Sequence, residues 1–173
     1  MYQGEKVLLR ALDNSDLMAS LDHVNDYDTM RGVTSGLILP SNVEDEARFF
    51  SAQSRQNRGE YQFAVETLEG KRYIGRCGLI HVDWKNRLAE CAILIGDKNE
   101  RGKGYGADAM KTLCRFAFEE MGMHKLTVRV FAFNRAAIRC YEKCGFEQEG
   151  LLKKEYFREG KFHDVVVMGL LKE

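Results

Sequence analysis

Apolar and polar residues alternate first in "EKVLLRAL", where Val7 and Leu9 stand between Lys6, Leu8 and Arg10, and this period of two predicts a first strand. The spacing then becomes helical. "DNSDLMASLDHVND" opens with Asp, Asn and Ser as cap candidates and sets Leu17, Leu21 and Val24 on one face. Beyond "GVTSGLILP", Ser41-x-x-Glu44 predicts a capping box and a second helix, with Val43, Ala47 and Phe50 turned inward.

Three strands are expected next. "YQFAVETL" turns at Glu69-Gly70-Lys71 into "RYIGRCGLIHVDW", which turns near Lys85-Asn86-Arg87 into "LAECAILIG". After a glycine-rich stretch, Met110, Leu113, Cys114, Ala117 and Met121 recur at helical spacing, and Gly122 closes the helix. "KLTVRVFAF" reads as a strand and "NRAAIRCYEKCG" as a short helix, capped by Asn134 and with Gly145 past its end. "FEQEGLLKKEYFRE" and "FHDVVVMGLL" are final strands joined at Glu159-Gly160-Lys161. This order predicts a mixed α/β fold, a mostly antiparallel central sheet with flanking helices and one crossover in its middle. Pro40 is the only proline and no repeat or linker interrupts the pattern, so residues 1–173 are expected to form a single domain.

Charge narrows the function classes. Lys+Arg and Asp+Glu both number 26, so no net field favours nucleic acid or an anionic membrane. The first residues carry charges and no apolar signal core, and no run approaches the ~18 apolar residues of a membrane span. The five cysteines form no C-x-x-C, and the Cys140/Cys144 pair lacks a second ligand pair at zinc spacing. A reduced, cytoplasmic protein without a metal is the expectation.

The chemistry is concentrated in "NERGKGYGADAM". Three glycines in five residues carry a backbone-entropy cost that needs a reason. A strand running through a glycine turn into a helix presents free N–H groups and a positive dipole end to an anion, and side chains there would block a diphosphate. Arg101 and Lys103 add positive charge at the rim. A P-loop is excluded, because no Lys-Ser or Lys-Thr follows Gly106. Gly102-x-Gly104-x-x-Ala107 fits a dinucleotide fingerprint in form, but the next strand ends "VFAFN" without the carboxylate that a ribose requires.

Arg101-x-x-Gly104-x-Gly106 resembles the R/Q-x-x-G-x-G/A signature of GNAT acyltransferases, which cradle the pyrophosphate of acetyl-coenzyme A. "NRAAIRCYEKCGFEQEG" is similar to the N-x-x-A-x-x-x-Y-x-K-x-G-F-x-x-E-G segment of that superfamily, and the element order matches along essentially the whole chain. "VLLRALDNSDL", "AECAILIGDKNERGKGYG" and the tail "EGLLKKEYFREGKFHDVVVMGLL" resemble the branch of ribosomal-protein N-terminal and spermidine acetyltransferases, without separating their substrates.

The resemblance implies direct attack of a neutral amine on the acetyl thioester of acetyl-coenzyme A. Gly102, Gly104, Tyr105 and Gly106 would hold the diphosphate with Arg101 and Lys103. Backbone groups of Ile93, Leu94 and Ile95 would meet the pantetheine arm, and Asn134 would contact that arm or simply cap its helix. Tyr141 stands where the family places its general acid; the other reading is a core tyrosine. Glu90 shares a face with Leu88, Ala92 and Leu94, and serves there as a base of raised pKa or as a solvated partner of Arg87. His81 and Asp83 are weaker substitutes, and His124 and His163 are expected to line strand ends. Asp26, Asp28, Glu44, Asp45 and Glu46 either attract a cationic acceptor or cap and solvate helices.

A protein or peptide N-terminus, or a related small amine, is the first acceptor expected. A polyamine is the second, although "RGVTSGLILP" lacks a dense aromatic and acidic character. A non-catalytic coenzyme A sensor is the third, and an intact Tyr141 argues against it. The long C-terminal hairpin offers an edge for pairing into a homodimer.

Overall fold

Eight strands share one sheet in the computed structural model, which describes residues 1–53 and 59–173. In chain order the elements are β1 (Tyr2–Gln3), β2 (Val7–Arg10), α1 (Leu17–Asn25), α2 (Tyr27–Met30), α3 (Val43–Ala52), β3 (Tyr61–Thr67), β4 (Tyr73–Asp83) and β5 (Leu88–Ile95). They continue with α4 (Tyr105–Glu119), β6 (Lys125–Phe131), α5 (Arg135–Lys143), β7 (Glu147–Arg158) and β8 (Lys161–Leu171). The sheet order is β1-β2-β3-β4-β5-β6-β8-β7, and β5 with β6 is its parallel pair. The expected meander, crossover and final hairpin are all present; the two-residue β1 and the short helix α2 were not anticipated.

Helix α4 covers one face of the sheet. Its stripe of Ala109, Met110, Leu113 and Ala117 is fully buried against Val7, Leu9, Val65, Leu79 and Leu126. Each large side chain removed from water in this way contributes about 1.5–3 kcal/mol. The start of α4 is also tied to the N-terminal turn. The Asp108 carboxylate accepts the backbone N–H groups of Glu5, Lys6 and Val7 at 3.0, 2.8 and 3.0 Å. Gly4 has no room for a side chain there, since a Cβ would stand 2.4 Å from the Asp108 carboxylate.

Helices α1 and α3 pack together over β4. Here the expected inward face of α3 is shifted. Val43 is exposed and Ala47 and Phe50 are half-buried, whereas Glu46 is buried. Glu46 accepts hydrogen bonds from Ser20 at 2.6 Å and from Arg76 at 2.7 Å, and the Arg76 guanidinium lies 4.1 Å over the Phe49 ring. A carboxylate at a helical core position is held by a cation from the sheet, so apolar periodicity missed it. The capping box also lies one residue later than expected, with Asn42 and Asp45 satisfying each other's backbone N–H groups.

Candidate active site

Strands β5 and β6 pair only at Leu88–Lys125, Ala89–Leu126 and Glu90–Thr127. Beyond that point β5 follows β4 to Ile95, and β6 follows β8 to Phe131, so the sheet opens into a V. The Gly96 N–H goes to Ile74 O of β4, and Leu94 O faces Gly75 so closely that a Cβ there would sit 1.9 Å away. By alternation, Ile93 and Ile95 turn their backbone groups into the opening, while Leu94 spends its own on β4. Of the three residues expected to meet the pantetheine arm, Leu94 is therefore corrected to a wall residue. The Ile95 carbonyl is itself taken, at 2.9 Å, by Arg101 Nε.

A cleft of about 650 Å³ runs from this opening to the glycine turn, lined by Ile93, Leu94, Ile95, Gly102, Gly104, Gly106, Asn134 and Cys140 among others. Gly102 and Gly104 have φ of 75° and 87°, a left-handed backbone in which any side chain is strained. Gly104 is the N-cap of α4, and among the described residues no side chain caps that end. The first amides of the helix are thus left for a ligand. Gly106 is different. It is helical, and a Cβ on it would find ordinary contacts, 3.6 Å from Ile95 and 3.8 Å from Cys140 Sγ, inside the cleft. Its bareness serves the cleft and not the backbone.

The two expected rim cations have protein partners of their own, although Arg101 still lines the cleft. Arg101 donates to Ile95 O and, at 2.7 Å, to Thr29 Oγ1, joining the end of β5 to α2. Lys103 pairs at 3.1 Å with the buried Glu100, which Arg72 also holds at 2.6 Å. Further positive charge comes from Lys6, whose Nζ donates to Lys103 O at 2.9 Å and lies close to Gly104, and from Arg139 and Lys143 on the wall made by α5. Lys6 is about a hundred residues away in sequence and carries no motif. It is found only through the Asp108 tether that brings its turn across α4.

A second cavity, about 580 Å³, lies on the other side of the opening, against Thr34, Ser35, Ile80, His81, Glu90, Ala92, Ile93, Arg129, Tyr141 and Tyr156. Tyr141 is buried, packs on Phe146 at 5.9 Å and, among the described residues, has no hydrogen-bond partner for its hydroxyl. Burial pushes its phenol well above the ordinary value of ~10. Glu90 meets His81 Nδ1 at 3.0 Å, in place of the apolar neighbours or the Arg87 that alternation suggested. The cause is a bulge. Ile80 pairs with Glu90 and Asp83 with Leu88, so His81 and Val82 together oppose Ala89, and His81 adopts φ 50°.

The remaining candidates have local duties. Asn134 accepts from Ala137 N at 3.2 Å and donates to Gly32 O at 3.0 Å, so it caps α5 and ties down the loop after α2. Asp83 holds the Asn86 turn, His124 is exposed at the start of β6, and His163 meets Arg158 O at 3.1 Å. Asp26 caps α2 and pairs with Lys98, Asp28 lies 3.8 Å from the same ammonium, and Asp45 caps α3; Glu44 is exposed.

Residues 6–147 match the acetyltransferase (GNAT) domain. The chain belongs to the GNAT acetyltransferase family. A spermidine N(1)-acetyltransferase of Vibrio cholerae is 29% identical over 170 residues, covering 98% of this chain and 95% of the relative. An uncharacterized prophage-derived N-acetyltransferase of Bacillus subtilis is 28% identical over 173 residues, covering 99% and 93%. Among solved structures, the spermidine N-acetyltransferase of Vibrio cholerae in complex with CoA and spermine has a TM-score of 0.86 at 28% identity, covering 95% of each chain.

The GNAT assignment makes this chain an N-acetyltransferase that uses acetyl-coenzyme A, and its clefts fit that group. An uncapped helix end and a glycine whose Cβ would fill the cleft suit a diphosphate, while the parted strands expose amides to an arm built from amide units. Among the described residues no cluster of His, Cys, Asp and Glu could hold a metal, and no helix is long and apolar enough to cross a membrane.

Proposed function

We propose that the acceptor is a primary amine of a small polyamine of the spermidine type. The observation that carries this reading is the end-to-end likeness of the backbone to a spermidine N-acetyltransferase bound to CoA and spermine. The acceptor cavity supports it. Apolar walls at Ile80, Ala92 and Ile93 suit a methylene chain, and the Glu90 carboxylate, paired with an imidazole, suits an ammonium.

Glu90 takes the proton that the amine must lose before its lone pair can attack, and His81 fixes the carboxylate from the solvent side. The Ile93 N–H, turned into the opening, polarises the thioester carbonyl. Tyr141 keeps its proton and donates a hydrogen bond to the sulfur as the thiolate departs. The glycine turn and the first turn of α4 hold the diphosphate, so that the acetyl end and the amine meet at the junction of the two clefts.

One observation favours a peptide N-terminus as a second reading. Residues 31–42 contain no carboxylate; the exposed Val33 lines the acceptor cavity, and Leu37 and Leu39 of the same loop are exposed. Thiol release measured with spermidine and with basic N-terminal peptides separates the two. Spermidine is expected to give at least a tenfold higher kcat/KM, and the opposite order would overturn the polyamine assignment.

A further inference from the structure

A thiol stands where the clefts meet, with a second one helical turn away. Cys140 lies on α5, and Cys144, one turn later, is the C-cap of that helix. Cys140 lines both cavities and precedes Tyr141. Its Sγ faces Gly106, 3.8 Å from where that residue's Cβ would be, and Cys144 Sγ donates to Ala107 O at 3.5 Å. Both sulfurs thus sit against the opening turn of α4, and of the two Cys140 lines the cleft assigned to the coenzyme. Cys77, Cys91 and Cys114 are buried in the core instead.

We infer that Cys140 is a modification site for disulfides that carry coenzyme A. This rests on the coenzyme cleft described above. The Cys140 thiolate attacks one sulfur of coenzyme A disulfide; a Cys140–S–S–CoA bond forms, the original S–S bond breaks, and the second coenzyme A leaves as a thiolate that takes a proton from water. The adduct occupies the cleft and stops turnover, and a reducing thiol reverses it. Two features favour the reaction. The neighbouring Cys144 thiol, with help from the Lys143 ammonium, holds the Cys140 thiol below its ordinary range against partial burial, which raises the thiolate fraction. Cys144 is also badly placed to displace the adduct. Residues four apart on a helix have Cβ atoms about 5–6 Å apart, whereas a disulfide needs ~3.5–4.5 Å.

Intact-mass measurement of the full chain after exposure to coenzyme A disulfide tests the inference, with oxidised glutathione in parallel. The expected result is a single coenzyme A adduct that maps to Cys140. It should form at least tenfold faster than the glutathione adduct, slow in the presence of acetyl-coenzyme A, and cost at least tenfold in activity until dithiothreitol is added. C140S should gain no adduct and keep its own untreated activity, while C144S should still be modified. An adduct on Cys144, no adduct, or equal rates for both disulfides without protection would overturn it. A separate titration of acetyl-coenzyme A tells the two failures apart. Normal binding with an inert Cys140 removes only this inference, and absent binding removes the cleft assignment as well.

Discussion

The His81 imidazole reaches the Glu90 carboxylate at 3.0 Å because a bulge gives β4 one more residue than β5 at that point. His81 is largely exposed, with its side chain at 76%, and Glu90 is at 19%, so the pair joins the acceptor cavity to solvent. Glu90→Gln keeps the shape and removes the basic oxygen. It is expected to lower kcat by about 10²–10⁴-fold, the usual worth of a positioned base, and to leave acetyl-coenzyme A affinity within twofold. Stopped-assay kinetics with calorimetric titration check both, and an unchanged kcat would transfer the proton to water or another group.

Tyr141→Phe removes a hydroxyl that has no partner among the described residues, so the thermal midpoint should hold while kcat falls about 10–100-fold. The pH dependence has a defined sign. Burial raises the phenol above ~10, so its donor form persists and Tyr141 imposes no loss of wild-type kcat between pH 8 and 10. A kcat–pH profile of both proteins is the check. A decline in this window that is present only in the wild type would contradict the role given to the phenol.

Most of the architecture was legible because alternation, turn residues and caps agree with one another along this chain. Three features were not. Glu46 and Arg76 neutralise each other inside the fold, so neither obeys apolar periodicity. The bulge at His81 breaks the alternation that predicts where Glu90 points, and no residue type announces it. Lys6 reaches the glycine turn through a tertiary tether, which local sequence cannot encode. The glycine turn itself was readable, though Gly102 and Gly104 turn out to serve backbone conformation as well as access.

That tether has a measurable weight. Asp108→Ala leaves the amides of Glu5, Lys6 and Val7 without their acceptor, one of them part-buried. Hydrogen bonds to a charged group contribute about 1.5–3 kcal/mol net, so the thermal midpoint should fall by roughly 4–10 °C for a chain of this size. Differential scanning calorimetry reads the change, and a fall below 1 °C would show that the N-terminal turn is held by other contacts.

His23 predicts acid sensitivity. Its ring stacks on Tyr73 at 5.6 Å, a Cβ on Gly96 would stand 2.0 Å from it, and its buried Nδ1 has no hydrogen-bond partner among the described residues. Burial lowers its pKa, so below about 6.5 the unfolded chain gains a proton that the folded chain resists. Stability should therefore be complete above the ordinary histidine value and decline as pH falls through the window below it, before most carboxylates titrate. His23→Phe keeps an aromatic ring and should flatten the midpoint between pH 7 and 5.5. Equal slopes in both proteins would clear His23 of this role.

The most direct test uses Gly106→Ala. Protein contacts tolerate the added methyl, and replacing a helical glycine gains up to ~1 kcal/mol, so the thermal midpoint should stay level or rise. The same methyl enters the cleft where the diphosphate is to lie. Calorimetric titration with acetyl-coenzyme A is expected to show at least a tenfold weaker Kd in a protein no less stable than the wild type. Unchanged affinity in that protein would contradict the claim that the opening of α4 holds the coenzyme.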